Sequence, residues 1–263
     1  MGKIVAVANQ KGGVGKTTTS VNLSACLARR GMKTLLLDLD PQGNATSGIG
    51  IGKNEIKHTI YEVLVDSISI EEAILPTKNA NLWMVASNID LAGAEIELVD
   101  KAKREYQLRR ALVPVIDDYD FIIIDCPPSF GLLALNAFTA CSSVLIPIQC
   151  EYYALEGLSQ LTATIRMVKK SLNPGIEIEG VLPTMYDGRT NLSIQVIEEV
   201  KKFFKEKVYQ TAIPRNVRLS EAPSFGQSII DYDITSRGAE SYLALCDEFL
   251  AINGMGEKKG IKS

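Results

Sequence analysis

Short apolar runs alternate with longer amphipathic stretches along the chain. The apolar runs, at residues 3–8, 34–38, 121–125, 143–149 and 176–184, are rich in Val, Ile and Leu, as buried strands are. The amphipathic stretches predict helices over residues 17–30, 102–117, 132–141, 154–171, 192–206 and 236–251. A strand followed by a helix, repeated, predicts an α/β fold: one domain with a twisted, mostly parallel sheet and helices on both faces. Ligands of such folds bind at the carboxyl ends of the strands.

Length and composition narrow this picture. The 263 residues are 46% apolar and are not interrupted by a linker, so we expect one domain over residues 1–253 and a disordered tail over 254–263. No apolar stretch reaches 18 residues and the N-terminal apolar run is short, which predicts a cytoplasmic protein without a signal peptide or membrane span. Five cysteines without a C-x-x-C pair indicate buried, reduced thiols.

The stretch NQKGGVGKTTT follows the first predicted strand and opens the first predicted helix. It departs from the G-x-x-x-x-G-K-[ST] phosphate-loop pattern because Gln10 holds the place of the first glycine and Lys11 follows it. The glycines let backbone N–H groups face an anion, Lys16 would contact the outer phosphates and Thr17 would ligate Mg²⁺. The sequence therefore predicts an ATP and Mg²⁺ site, with a chance glycine-rich turn as the alternative.

Three aspartates follow predicted strands. Asp125 ends the run FIIID, so its carboxylate should emerge beside the phosphate loop and hold a Mg²⁺-bound water. Asp38 and Asp40 alternate with Leu39, which places both carboxylates on one side of an extended segment. One would orient the metal shell and the other the attacking water. Their alternative roles are a strand-end cap for Asp125 and turn formation for the other two.

Four motifs together resemble one family. KGGVGKT, DLDPQGN, IIIDCPPS and QCEYYALEGL occur in the order and spacing of the deviant Walker A ATPases of the ParA/Soj chromosome-partitioning group. The resemblance covers about residues 2–250 and implies that Lys11 reaches the phosphates of the partner subunit in an ATP-bound homodimer. It also assigns Asp40 to water activation, Asp125 to the metal through water, and Pro214 and Asn216 to the adenine. We expect Asp38 to contact the metal through water as well. The nucleotide-binding residues expected in full are Lys11, Gly12, Gly13, Val14, Gly15, Lys16, Thr17, Thr18, Pro214 and Asn216.

A basic region suggests what the ATP site controls. Residues 199–218 contain six basic and two acidic side chains, although the whole chain has a net charge of -3. Such a strip is often only a solvated surface. The resemblance implies non-specific binding of double-stranded DNA by the ATP-bound dimer, through Arg189 and Arg218, and hence association with the nucleoid. It also implies a ParB-like partner that stimulates hydrolysis and releases the DNA; the sequence leaves open an action on the replication initiator.

Rival functions make different demands on the sequence. A MinD-like membrane-cycling ATPase needs a C-terminal amphipathic helix, whereas LAINGMGEKKGIKS has three glycines and few apolar residues. An iron–sulfur carrier on the same ATPase core needs interfacial thiolates, and the chain has no C-x-x-C. A non-catalytic DNA-binding regulator would leave Asp40 and the two loop lysines without a role.

Overall fold

The computed structural model describes residues 2–52, 56–151 and 154–255. Its strands are β1 (Lys3–Val7), β2 (Thr34–Asp38), β3 (Ile74–Pro76), β4 (Leu82–Val85), β5 (Phe121–Asp125), β6 (Ser143–Gln149) and β7 (Glu177–Thr184). Its α-helices are α1 (Lys16–Arg29), α2 (Asn44–Gly48), α3 (Ile60–Leu64), α4 (Ile70–Ala73), α5 (Leu91–Glu97), α6 (Gln107–Leu112), α7 (Leu132–Ala140), α8 (Ala154–Ser171), α9 (Asn191–Phe204), α10 (Val217–Glu221), α11 (Ile229–Tyr232) and α12 (Arg237–Ile252).

The strands of the described residues form one sheet in the order β3-β4-β2-β5-β1-β6-β7, and every pairing is parallel except that of the edge strand β3 with β4. From β1 the chain crosses β5 to reach β2, and from β5 it crosses β1 in the other direction to reach β6. The carboxyl end of β1 therefore lies where the winding reverses, which is where nucleotides bind in such sheets. This P-loop NTPase-like arrangement confirms the predicted α/β class.

Side chains of alternate residues on β1 enter two separate cores, one on each face of the sheet. Ile4 and Ala6 pack among buried residues of α6, α7 and α8, whereas Val5 and Val7 pack against α1 and α12. Because a strand has a side-chain period of two, a near-continuous apolar run is what a strand covered on both faces requires. The five cysteines are all free and buried, as expected.

The helix predicted over residues 102–117 is wrong as a single element. The structure has two 3₁₀ turns, Arg104–Tyr106 and Ile116–Asp118, around the short helix α6. Pro114 lacks the N–H that a continuing helix needs, and its ring clashes with the carbonyl four residues earlier in a helix, so α6 ends at Leu112. Two strands and six short helices were not predicted: β3, β4, α2, α3, α4, α5, α10 and α11. Part of the predicted tail, residues 256–263, lies outside the described residues.

The predicted end of the first helix is confirmed. Helix α1 ends at Arg29, and Gly31 has a φ of +81°, the left-handed conformation common just after a helix. The first buried turn of this helix begins directly after the phosphate loop. The loop is therefore anchored between the carboxyl end of β1 and a helix packed on the sheet.

Candidate functional site

The phosphate loop joins the end of β1 to the start of α1. Gly13 and Gly15 have φ values of +74° and +88°, a conformation that glycine adopts readily and other residues rarely do. Gly15 is the N-terminal cap of α1, and no side chain caps this helix. The first N–H groups of α1 therefore point into the loop, where an anion would accept their hydrogen bonds and meet the positive end of the helix dipole.

Two neighbouring strands hold the loop in place. The Thr184 hydroxyl, at the end of β7, lies 2.8 Å from the Val14 carbonyl oxygen and 2.9 Å from that of Ile148. The Asn9 Nδ2 amide, just after β1, donates to the Pro147 carbonyl of β6 at 2.7 Å. We did not predict a role for Thr184 or Asn9. Their positions at the carboxyl end of a predicted strand were the signal that could have identified them.

The two lysines of the loop have different surroundings. Lys16 is only 7% exposed, and its Nζ donates to the backbone carbonyl of Lys11 at 3.2 Å across the loop. Burial lowers the pKa of Lys16, while the negative charge of Asp125 acts in the opposite direction. The Lys11 side chain instead leaves the loop, and its Nζ lies 3.1 Å from Oε2 of Glu151. Lys16 therefore faces the inside of its own loop and Lys11 faces outward.

The carboxylates of Asp38 and Asp125 end neighbouring strands in register, because these two residues are directly paired between β2 and β5. Both are fully buried. Burial raises the pKa of Asp125, and the charge of Asp38 raises it further, whereas the nearby hydroxyls of Thr17 and Ser20 lower it. Burial likewise raises the pKa of Asp38, whereas the hydrogen bonds donated by Thr46 and Asp40 lower it. A cation at this edge of the sheet would stabilise the charged form of the pair.

Asp125 also carries the local evidence for a metal. Its Oδ1 accepts a hydrogen bond from Ser20 at 2.8 Å. Its Oδ2 is buried, and although the Thr17 hydroxyl is near the carboxylate, Oδ2 accepts no hydrogen bond of good geometry from the described residues. A buried carboxylate oxygen without a hydrogen-bond donor lowers the stability of the fold unless a water or a cation binds it. The described residues contain no cluster of His, Cys, Asp and Glu that could hold a metal alone. Mg²⁺ fits this arrangement because it commonly binds through few protein groups, several waters and substrate phosphates.

Asp40 follows Asp38 in a loop that is fixed by side-chain hydrogen bonds. Asp38 accepts at Oδ1 from the Asp40 backbone N–H and at Oδ2 from both the N–H and the hydroxyl of Thr46. The Thr46 hydroxyl in turn accepts from the N–H of Ser87, whose own hydroxyl donates to the Asp40 carbonyl at 2.8 Å. Asp38 thus organises the loop that presents Asp40. Ser20, Thr46 and Ser87 are supporting residues that sequence reasoning missed.

A cavity of about 460 Å³ adjoins the loop on the side away from the carboxylates. Gly15 and Thr18 form one wall, and residues 213–217 form the opposite wall, including the predicted Pro214 and Asn216. The Asn216 Oδ1 accepts from the backbone N–H groups of Arg218 and Leu219 and so caps α10. None of the described residues accepts from its Nδ2 group, which therefore has donors for a ligand. The volume lies within the range of small-molecule sites.

The basic region of residues 199–218 is divided between two places. After α9 the chain runs along the edge of β7, pairing Val208 with Val181 and Pro214 with Tyr186. Val181 and Tyr186 are five residue steps apart, or roughly 16 Å of extended chain. The lysines at the end of α9 therefore lie near the start of β7, whereas Arg215 and Arg218 lie at its carboxyl end. The basic side chains of residues 199–218 are therefore not gathered in one place.

Both arginines predicted to contact DNA are exposed and paired with carboxylates. Arg189 binds Asp187 through two hydrogen bonds of 2.8 and 2.9 Å. Arg218 lies 2.9 Å from Glu221 and 3.4 Å from Asp233. Exposed ion pairs of this kind contribute little to stability, so both guanidinium groups can exchange partners readily.

Comparisons with known proteins identify the family of this chain. Residues 2–178 match a protein family described as an AAA domain. The chain is 63% identical over 254 residues to the sporulation initiation inhibitor protein Soj of Bacillus subtilis, covering 97% of this chain and 100% of that protein. It is 58% identical over 250 residues to the chromosome partitioning protein ParA of Myxococcus xanthus, covering 95% and 88%.

A solved structure shows the same arrangement of elements. The cobyrinic acid a,c-diamide synthase from Mycobacterium smegmatis, with a bound ATP analog and magnesium, has a TM-score of 0.85 at 38% identity. The match covers 100% of both chains. Among the described residues, no helix of this chain is both long enough and apolar enough to cross a membrane.

Proposed function

The chain belongs to the ParA/Soj family of chromosome-partitioning ATPases, and from this membership we propose that it hydrolyses ATP with Mg²⁺, dimerises on ATP and binds DNA as the dimer. The observation that carries the proposal is the opposite placement of the two loop lysines. Lys16 is buried within its own loop, while the Lys11 ammonium lies outside it beside Glu151. A lysine in that position suits the phosphates of a second subunit.

Electrostatics favour a dimer in which each Lys11 acts in trans. ATP carries roughly four negative charges, so two nucleotides facing each other repel unless each gains a cationic partner. Lys11 would supply that partner from the opposite subunit. It would also neutralise charge that develops in the transition state, a contact worth roughly 10³ to 10⁵ in rate where an arginine does the same. ATP binding, dimerisation and hydrolysis are then coupled through one side chain.

Within each subunit, other residues bind the nucleotide, orient the attacking water and hold the metal. The loop N–H groups and Lys16 bind the phosphates, and Pro214 and Asn216 bound the cavity that would hold the adenine. Asp40 orients the water that attacks the γ-phosphorus as the bond to the bridging oxygen breaks, and Asp38 holds the Asp40 loop. When bound, Mg²⁺ neutralises phosphate charge, with the Thr17 hydroxyl and the Asp125 carboxylate as the residues that would hold it and its waters.

DNA binding is proposed to follow dimerisation. One subunit presents few arginines at the carboxyl end of the sheet, and such contacts act mainly through counterion release, so a monomer should bind DNA weakly. A dimer doubles the contacts made by Arg189 and Arg218 and raises affinity through effective concentration. We further propose that the ATP-bound dimer associates with the nucleoid and that a ParB-like partner stimulates hydrolysis and releases it.

Turnover measurements test this proposal. ATP hydrolysis would be measured for the protein alone, with a non-specific duplex, with a ParB-like partner and with both together. Strong stimulation that requires duplex and partner together is expected. Turnover that neither addition changes, or that anionic vesicles stimulate in their place, would contradict a partitioning function.

A further inference from the structure

An apolar groove lies between α8, the start of β7 and the end of α9. We call it the α8–α9 groove, and its volume is about 750 Å³. Ile165 and Ile176 form part of its buried wall, and Phe204 is partly buried beside them. Phe203, on the rim, is 74% exposed, which is unusual for so large an apolar side chain. The groove therefore exposes both an apolar wall and an aromatic rim to solvent.

The shape of the groove suits a helix. Its lining residues recur along one face of α8 from Leu155 to Lys169. The fourteen residue steps from Leu155 to Lys169 rise about 21 Å, so a partner helix of roughly four turns would lie against this wall along its whole length. Grooves that accept helices bind apolar side chains spaced at i, i+3, i+4 and i+7, and their strongest contacts are usually buried aromatic or aliphatic anchors. Phe203 and Phe204 provide such anchors here.

The rim of the groove is positively charged although the chain as a whole is acidic. Arg166, Lys169 and Lys207 line it, against the single carboxylate of Glu177. Glu177 pairs with Lys169 at 3.0 Å. Within the described part of the chain, neither Arg166 nor Lys207 forms an ion pair. Two cations thus remain to attract and orient an acidic partner, and opposite charges at a rim favour partner choice and association rate.

One end of the groove lies far from the proposed nucleotide and DNA sites. It adjoins Glu177 and Ile178, at the amino end of β7, whereas Thr184 at the other end contacts the phosphate loop. Seven residue steps along a strand span about 23 Å. A partner seated at that end would therefore leave the phosphate loop and Arg218 accessible. The other end of the groove, at Leu155, lies only four residues after Glu151, the partner of Lys11.

We propose that the α8–α9 groove binds an acidic amphipathic helix of a partner protein. The apolar face of that helix packs against α8 and the two phenylalanines, and its flanking carboxylates pair with Arg166 and Lys207. The concave shape favours a helix over a flat lipid surface, because a bilayer needs apolar side chains that protrude. The apolar wall disfavours DNA, whose contacts are mainly with charged phosphates.

A displayed library of 16-residue helices tests the proposal. Each helix would carry a fixed stripe of Leu and Phe at i, i+3, i+4 and i+7, with flanking positions drawn from Glu, Lys and Ser. Selection on the full chain should enrich Glu at the flanks. The enriched peptides, synthesised with a fluorophore, should bind the wild type roughly tenfold more tightly than either Phe203→Ser or Arg166→Glu, since removal of one anchor or ion pair costs about 1.4 kcal/mol.

Control variants distinguish the loss of groove contacts from unfolding or a general change of charge. Phe203 and Arg166 are exposed, so their substitution should leave the fold intact, which circular dichroism and unchanged ATP binding would check. Lys201→Glu changes charge by the same amount on an exposed residue of α9 that does not line the groove, and it should bind the peptides as the wild type does. Flanks enriched in Lys or Ser, equal binding by all variants, or anionic vesicles or duplex bound through Phe203 and Arg166 would each overturn the proposal.

Discussion

The Lys11 ammonium and the Glu151 carboxylate form an ion pair of 3.1 Å between residues that are 140 positions apart in the chain. Both side chains are partly exposed, so the pair holds Lys11 outside its own phosphate loop at little energetic gain. The phosphates of an ATP bound to a second subunit carry more negative charge than the Glu151 carboxylate and would compete well with it for Lys11. The pair therefore marks the position from which Lys11 would act in trans.

The two loop lysines should fail in different ways when replaced. Lys16→Ala should weaken ATP binding by the monomer roughly 10- to 150-fold, the effect expected when one charge-assisted hydrogen bond is removed. Lys11→Ala should leave this affinity nearly unchanged but prevent ATP-dependent dimerisation and hydrolysis. Fluorescent nucleotide titration and light scattering would measure the two properties. Glu151→Gln is the matched control: if it reproduces the Lys11→Ala defect, Lys11 acts through its own subunit.

Asp40→Ala should separate dimerisation from hydrolysis. Removal of the group that orients water should lower turnover roughly 10²- to 10⁴-fold, because general-base contributions have that size. The phosphate contacts of Lys11 and Lys16 remain, so ATP should trap a long-lived dimer. Gel filtration with ATP would detect it. A profile that contains only monomer would indicate that Asp40 instead maintains the structure of its loop.

Thr46→Val should weaken the support of the catalytic loop. It removes one of the donors to the buried Asp38 carboxylate and the acceptor of the Ser87 N–H, at a cost of about 1–3 kcal/mol in unfolding free energy. Turnover should fall more than ATP affinity, since Asp40 is held through the same hydrogen bonds. Urea unfolding and steady-state kinetics would measure both. Ser47→Ala, which removes a hydroxyl that donates to the Gly43 carbonyl, should have a smaller effect on turnover.

The arginines at the carboxyl end of the sheet should govern binding to duplexes of any sequence. Arg189→Ala or Arg218→Ala should reduce the salt dependence of ATP-dependent binding by about 0.9 in log–log slope for each DNA phosphate that the variant no longer neutralises. Dimerisation should be unaffected. A salt series with a non-specific duplex would test this, with Arg109→Ala as a control that removes the same charge from an exposed position of α6. Unchanged slopes for Arg189→Ala and Arg218→Ala would place the DNA surface elsewhere.

Local sequence patterns predicted the long helices and the strands that are formed by continuous apolar runs. The strands at 34–38, 121–125 and 143–149 have their predicted bounds, and the loop around Gly15 follows β1 and opens α1 as expected. These features depend on side-chain period and on glycine conformation, which neighbouring residues decide. The broken helix at 102–117 shows the limit of periodicity, since Pro114 outweighs an otherwise helical pattern. The short helices, such as α2, have too few turns for a period to be recognised.

The sequence by itself determined the α/β class, the phosphate loop with its second lysine and the aspartates at the strand ends, because each is encoded within a few consecutive residues. Only the tertiary structure decided which distant groups meet. The sheet order brings Asp38 beside Asp125, and the crossover from β6 to β7 brings Thr184 to the phosphate loop. The path of the chain along β7 also separates the lysines of α9 from Arg218. Such contacts depend on strand order and on where each crossover returns, and no local period in a sequence contains that information.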